Sequence, residues 1–407
     1  MYTVNLYLSI YRGVIMLSPS NKEVYVIGIF GSNGKTSTAN MLWNIFTSSG
    51  LKVEIINDEK NAIQKRIMTD IEVYKQLIIS GKDDIILIEI NKENLENNYL
   101  LGISFDMIIH THISEGSYEN TSEGIRKVNE LLSSSPGVKT IILNTDDSNW
   151  KRIIIDIENT YLITYGLGNK ATVTASSIEC GKDVRFCYCL QREIRNKYNT
   201  IIVPMEIPFV IKTYGQYNVY NGLAVITVSL IYGIEVNKII SSLNNNAIQK
   251  LGLSILYENG FGVVNNICEN LLSFETGFEA VQNMPYDNIH LIFNLNRNNI
   301  THINKKVLES ILTWALILKI KKIYYFNTND SILNSSLLDD FKTGLKDSGV
   351  DFELFEGTIA DVEKIINSLN ENDMLLYFCC KDSKITGEKI IEILDTRILG
   401  NLSSNIK

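Results

Sequence analysis

Residues 24 to 50, VYVIGIFGSNGKTSTANMLWNIFTSSG, constrain the fold of this chain more than any other stretch. Val24 to Phe30 is a β-branched and aromatic run of the buried-strand type. The small residues Gly31, Ser32, Asn33 and Gly34 follow as a turn, and a helix-forming run then opens at Lys35. Such a turn closes backbone N–H groups around an anion at the positive end of the helix, which is how phosphate-binding loops work. Lys35 is then placed over the outer phosphates, and the Thr36 hydroxyl, with Ser37 next to it, reaches toward a phosphate-bound Mg2+. Ile29 stands where the general Walker pattern has its first glycine, so the text is the short form G-x-N-G-K-T. A plain strand-to-helix turn carrying an exposed lysine is the alternative.

At 407 residues the chain exceeds one ordinary core, and two domains are expected. With 45% hydrophobic and 21% charged residues it has the composition of a globular protein. A formal charge of −8 argues against broad binding to nucleic acid or anionic membrane and leaves room for a local basic pocket. The opening run MYTVNLYLSIYRGVI lacks a basic start and a small-residue cleavage site and is broken by Arg12, so neither a signal peptide nor a membrane span is expected. Six dispersed cysteines, Cys180, Cys187, Cys189, Cys268, Cys379 and Cys380, fit reduced thiols in a cytoplasm. Cys187 and Cys189 share a strand face, but no second pair follows at metal-site spacing, and no zinc site is expected there. The vicinal pair Cys379 and Cys380 ends an apolar run and reads as core strand.

Farther along, KVEIIN and DDIILIEI read as strands, with Glu89 at the C-terminal end of the second. In an open α/β sheet ligands gather at that end, so Glu89 is a candidate metal ligand, with a strand-terminal surface carboxylate as the alternative. Strands FDMIIHTHIS and VKTIILN follow, the latter ending at Asn144 before Thr145, Asp146 and Asp147, and the capped helix TSEGIRKVNELL lies between them. Residues 160 to 212 alternate as a β-rich section, and TYGQYNVYNGLAVITVSLIYGI opens a long helix. The Asn-rich stretch LNNNAIQKL marks a boundary, beyond which strands FGVVNNI, NIHLIFNL, IKKIYYFN and MLLYFCC alternate with helices as in a second α/β unit.

The loop, ending a strand in G-x-N-G-K-T, resembles the ATP loop of the Mur ligase superfamily, T-G-T-N-G-K-T, with Phe30 and Ser32 in place of two threonines. Gly215, Asn218 and Asn221 match that family's G-x-x-N-x-x-N, and Asn144 to Asp147 is similar to its N-A-D-D segment. The resemblance implies an α/β chain: an N-terminal extension over 1–22, a P-loop ATPase-like central domain over 23–246 with a mixed or parallel sheet, and a Rossmann-like domain over 247–407. It implies ATP and Mg2+ as cofactors, with Gly31 to Ser37, Asn144, Asn218 and Asn221 around the nucleotide and Thr36 and Glu89 on the metal. Lys35 would act on the transferring phosphoryl group, and Lys127 falls near the carbamylated lysine of several members, a surface helix lysine being its other reading.

Departures from the family are equally specific. Ser117 stands at the position of a metal-ligating histidine, and His110 and His112, two apart on one strand face, are either substitutes or half-buried structural residues. Leu253 follows Gly252 where an arginine is expected, and Asn265 to Asn270 lacks the D-Y-A-H-x-P text of peptide-forming members. That segment and Asn294 to Asn299 are somewhat similar to the Mur-like subunit of lipid II isoglutaminyl synthase, although the Cys-rich zinc insertion common there is missing. The implied function is an ATP-dependent joining of an acid, small or lipid-linked, to an amine. The alternatives are a catalytically degenerate ATP-binding partner protein and a subunit served by a glutamine amidotransferase.

Overall fold

A computed structural model describes residues 24–57, 70–115, 117–135, 139–153, 160–168, 170–181, 183–245, 253–282, 284–295, 301–327, 335–380, 383 and 385–404. The expected N-terminal extension, the boundary near residue 246, Gly252 and most of the run Asn294 to Asn299 lie outside the described residues.

The first half is built on strands β1 (Tyr25–Phe30), β2 (Val53–Ile56), β3 (Ile85–Ile90), β4 (Met107–His110), β5 (Thr140–Asn144), β6 (Tyr161–Tyr165), β7 (Val173–Cys180) and β8 (Val184–Leu190). A short antiparallel ribbon, β9 (Ile194–Arg195) with β10 (Ile201–Ile202), stands apart, and β11 (Met205–Ile211) rejoins the main sheet. The order of that nine-stranded sheet is β11-β8-β7-β6-β5-β4-β1-β3-β2. From β2 to β7 every pairing is parallel, while β7, β8 and β11 pair antiparallel. Strands β1, β3, β4 and β5 are buried almost throughout because helices cover both faces, so their sequences are continuous apolar runs rather than alternating ones. β8 and β11 instead alternate, with Val184, Phe186, Tyr188 and Leu190 turned into the core.

The connection from β1 runs to β2 on one side, and β4 lies on the other side of β1. That reversal opens a crevice at the C-terminal ends of β1, β3 and β4, where the Gly-rich turn lies. The helix Tyr217–Tyr232 crosses the same sheet and is buried on nearly every side, consistent with its apolar composition all round, and Gly233 at φ 100° ends it with a left-handed cap.

The second half forms a six-stranded sheet, β12 (Leu253–Asn259), β13 (Phe261–Ile267), β14 (Asn288–Phe293), β15 (Ile320–Phe326), β16 (Asp351–Phe355) and β17 (Asp373–Cys379), in the order β12-β13-β17-β14-β15-β16. Only the β12–β13 pair is antiparallel, and separate apolar clusters pack on the two faces. This is the α/β, Rossmann-like layering expected from the alternating pattern. No helix among the described residues is long and apolar enough to cross a membrane.

Candidate nucleotide site

The turn after β1 needs its glycines. Gly31 lies at φ 135° and Gly34 at φ 85°, a backbone region that disfavours side chains. A Cβ on Gly34 would also stand 2.6 Å from Asn221 Oδ1, and one on Gly31 would overlap the Thr111 hydroxyl. The loop is pinned to the residue after the β4 extension, since Ser32 N and Asn33 N both donate to the His112 carbonyl at 2.7 and 3.2 Å. Those two amides, expected to face phosphate, are therefore used to hold the turn. The groups left for an anion are the first-turn amides of the helix Lys35–Ser48, which have no acceptor within the helix.

Two expected ligands come together from distant sequence. The Thr36 hydroxyl donates to Glu89 Oε2 at 2.7 Å, because Thr36 opens the helix after β1 and Glu89 lies near the end of the adjacent β3. Glu89 is only 7% exposed, and its other oxygen accepts from Asn57 Nδ2 at 3.0 Å. The Lys35 ammonium folds back onto the Gly31 carbonyl and lies 3.8 Å from the carboxylate of Glu119, which is 5% exposed. Sequence reasoning stopped at Ser117 and missed both Glu119 and Asn57. Asn57 was legible as a polar residue ending a strand beside β3, but nothing in its neighbourhood distinguishes Glu119 from a surface acid.

A cavity of about 170 Å³ continues from the loop, lined by Gly34, His112, Asn144, Asp146, Tyr220 and Asn221 among others. Asn144 donates to the Thr111 carbonyl at 2.7 Å and accepts from Asp146 N, which fixes its amide. Asn221 faces the cavity, whereas Asn218 is fully buried behind it, donating to Tyr214 O at 2.7 Å and accepting from Asn221 Nδ2 at 3.0 Å. The two asparagines thus divide their work: one lines the cavity, the other orients it. Burial lowers the His112 pKa and favours neutral imidazole, while burial and then the charge of Asp146 push the Tyr220 hydroxyl up to about 12. Tyr220 is therefore a donor, and it does donate to Asp146 Oδ2 at 3.1 Å. A larger cleft, about 590 Å³, opens around Tyr25, Lys197 and Tyr232 at the opposite, N-terminal end of β1.

Other candidates are positioned differently. His110 is fully buried, stacked on Phe30 and bonded through Nε2 to Asp147 at 2.9 Å, so it serves the core. The Ser117 hydroxyl donates to Ser114 O at 2.9 Å. Lys127 donates to Asn98 at 2.7 Å and lies 3.9 Å from Glu130, neither of which belongs to the loop site. The second half reaches the loop by another route: Asn270, which caps the helix Leu271–Val281, donates to Asn33 Oδ1 at 3.0 Å, and Ser114 Oγ donates to the same oxygen. Lys306 adds an ion pair with Glu115 at 2.7 Å.

Residues 29–229 match the family model described as the Mur ligase middle domain, a span that includes the loop, Glu89, Asn144 and Asn221. The chain is a divergent member of the Mur ligase superfamily. It is 30% identical over 241 residues to UDP-N-acetylmuramoyl-L-alanyl-D-glutamate–2,6-diaminopimelate ligase 1 of Clostridium acetobutylicum, covering 56% of this chain and 46% of that one. It is 23% identical over 287 residues to the corresponding ligase of Caldanaerobacter subterraneus subsp. tengcongensis, covering 64% and 55%. This Mur ligase relative thus spans about half the length of the curated proteins it matches. In fold it is similar to MurF from Acinetobacter baumannii, with a TM-score of 0.70 at 13% identity over 91% of this chain and 77% of that one. It is also similar to the MurF ligase of Thermotoga maritima solved in complex with ADP, with a TM-score of 0.63 at 13% identity over 94% and 82%.

Proposed function

We propose that this Mur ligase superfamily member binds ATP with Mg2+ and joins a carboxylic acid to an amine through an acyl phosphate, releasing ADP and phosphate. The observation that carries the reading is the Thr36–Glu89 pair at 2.7 Å, next along the chain to Lys35 and to the Gly34 that bounds a cavity with Asn221. A hydroxyl and a carboxylate are hard oxygen donors and fit Mg2+. Thr36 and Glu89 would hold the ion, and its charge would supply electrostatic stabilisation to a transferring phosphoryl group.

The chain's own residues have distinct tasks in this scheme. Lys35 leaves the Gly31 carbonyl to neutralise charge on the outer phosphoryl group, and the first-turn amides hold its oxygens. Asn221 and Asn144 present amide donors and acceptors to the rest of the nucleotide. The acid's carboxylate oxygen attacks the γ-phosphorus as ADP departs; the amine then attacks the acyl carbon and phosphate leaves. Residues 23–246 hold the nucleotide in this reading, and residues 247–407 bring the amine side to it through contacts such as Asn270 to Asn33. Peptidoglycan or related cell-wall amides are the substrate class that the named relatives favour.

A second reading, a degenerate ATP-binding partner protein, draws on Ser117 and Lys127, whose side chains bond to Ser114 and Asn98 rather than to the loop. The deciding experiment is phosphate release from Mg2+-ATP with pooled amino acids, ammonia and cell-wall precursor acids, with Lys35→Ala as control. Turnover that needs both an acid and an amine and vanishes in Lys35→Ala supports the ligase. ATP binding without turnover on any pair favours the second reading.

A further inference from the structure

The outer face of the antiparallel part of the main sheet carries a cluster that the nucleotide site does not use. Alternation along β8 turns Val184, Phe186, Tyr188 and Leu190 into the core, which leaves Cys187 and Cys189 together on the other face. The antiparallel register sets Glu206 of β11 opposite Cys189 and Ser176 of β7 opposite Cys187. The two sulfurs and a Glu206 carboxylate oxygen all lie within 4.8 Å of one another, and the Ser176 hydroxyl is 3.4 Å from Cys189 Sγ. Cys189 is buried, Cys187 is half-buried and Glu206 is exposed, so an ion could enter from solvent and be held against the sheet.

We propose that Cys187, Cys189 and Glu206 form a zinc site, with the Ser176 hydroxyl or water as the fourth ligand. Zn–S bonds of about 2.3 Å and Zn–O bonds of about 2.1 Å in a tetrahedron set ligand atoms roughly 3.5–3.8 Å apart, so atoms now within 4.8 Å of one another need to close by about 1.3 Å at most. The carboxylate selects Zn2+ over Cu(I), which prefers an all-sulfur set, and the two thiols select against Mg2+ and Ca2+. The spacing rule overlooked this arrangement because it seeks a second ligand pair along the sequence. Here the third ligand is supplied by strand pairing across β8 and β11.

The site would fasten the edge strand β11 to β8. β11 leads through Thr213 and Tyr214 into the helix that carries Asn218 and Asn221. The test is a titration of the reduced, metal-free chain with Co2+ and then Zn2+. One equivalent of Co2+ should produce thiolate-to-cobalt charge-transfer absorption that Zn2+ abolishes, and Zn2+ should raise the melting temperature. Cys187→Ser, at a half-buried position, and Glu206→Gln, at an exposed one, should each weaken Zn2+ binding by more than the about 100-fold that loss of a supporting residue costs, while Cys180→Ser leaves it unchanged. Absence of the band from the unaltered chain overturns the proposal. So does a band that persists in the Cys187→Ser, Cys189→Ser double variant, which would move the metal elsewhere.

Discussion

Replacing Thr36 by valine keeps the shape of the side chain and removes one hydrogen-bond donor, so it isolates the pair on which the proposed nucleotide site rests. Glu89 is 7% exposed and has its two oxygens served separately, Oε2 by Thr36 at 2.7 Å and Oε1 by Asn57 at 3.0 Å. A hydrogen bond to a charged group contributes about 1.5–3 kcal/mol, and the short distance here points to the upper part of that range. The valine methyl would fill the hydroxyl's place and leave little room for water to replace it. The expected loss is about 2–3 kcal/mol, a roughly 30- to 150-fold change in the unfolding equilibrium of the first half. Urea melts of the metal-free chain measure it, with Thr36→Ser as the variant that retains the donor. The same protein should keep most of its Mg2+-free affinity for ATP, which rests on Lys35 and the helix amides, and lose the increment that Mg2+ adds. A valine variant with unaltered stability and an unaltered Mg2+ increment would refute both the strength assigned to the pair and its role toward the metal.

Gly34→Ala meets a left-handed backbone and Asn221 Oδ1 at 2.6 Å together, so ATP affinity should fall at least about tenfold by isothermal titration, with the melt shifted by only about 1–2 kcal/mol. Lys127→Ala removes a bond to Asn98 away from the loop, and ATP turnover should stay within about tenfold of the parent; a loss of several hundredfold would return Lys127 to the reaction. Burial alone would raise the Asp147 pKa, but hydrogen bonding and charge from His110, with the amides of Asn149 and Ile113, hold it below the ordinary carboxylate value. Because the folded pKa is the lower one, the stabilisation is present above the unfolded value near 4 and fades as pH falls below it, so Asp147→Asn should flatten the acid limb of a stability-against-pH curve. Asn270→Ala removes a helix cap worth about 0.5–2 kcal/mol and the contact to Asn33 at once, which chemical denaturation and ATP affinity should both register.

How far the sequence could be read depended on how local each signal was. The strand, turn and helix of the loop lie within one continuous stretch, and the α/β layering follows from apolar runs alternating with amphipathic ones, so both were accessible. That Glu89 lies beside the loop could be expected because it stands near the end of a parallel strand, where the loops of such sheets gather. The commitment of Ser32 N and Asn33 N to His112 was not legible, since it depends on β4 lying beside β1, a pairing across some eighty residues. Glu119 and Asn270 escaped for the same reason: one faces Lys35 and the other Asn33 only after distant segments pack. Lys127 shows the converse, a lysine on an expected helix whose direction the periodicity could not fix.

The Asn270 side chain makes bonds with different consequences. It accepts from Ser273 N at the start of the helix Leu271–Val281, and it donates to Asn33, and accepts from it at 3.5 Å, in the loop after β1. A shift of that helix by more than about an ångström must therefore either carry Asn33 along or give up a bond worth about 1 kcal/mol, a factor of about five. Thermodynamic reciprocity then applies: any molecule whose binding to the second half tightens this contact is itself bound more tightly, by the same factor, when the loop is set by nucleotide. Each of two such ligands would thus be held more tightly when the other is already in place, by one shared factor whichever arrives first, while the bonds to either stay the same.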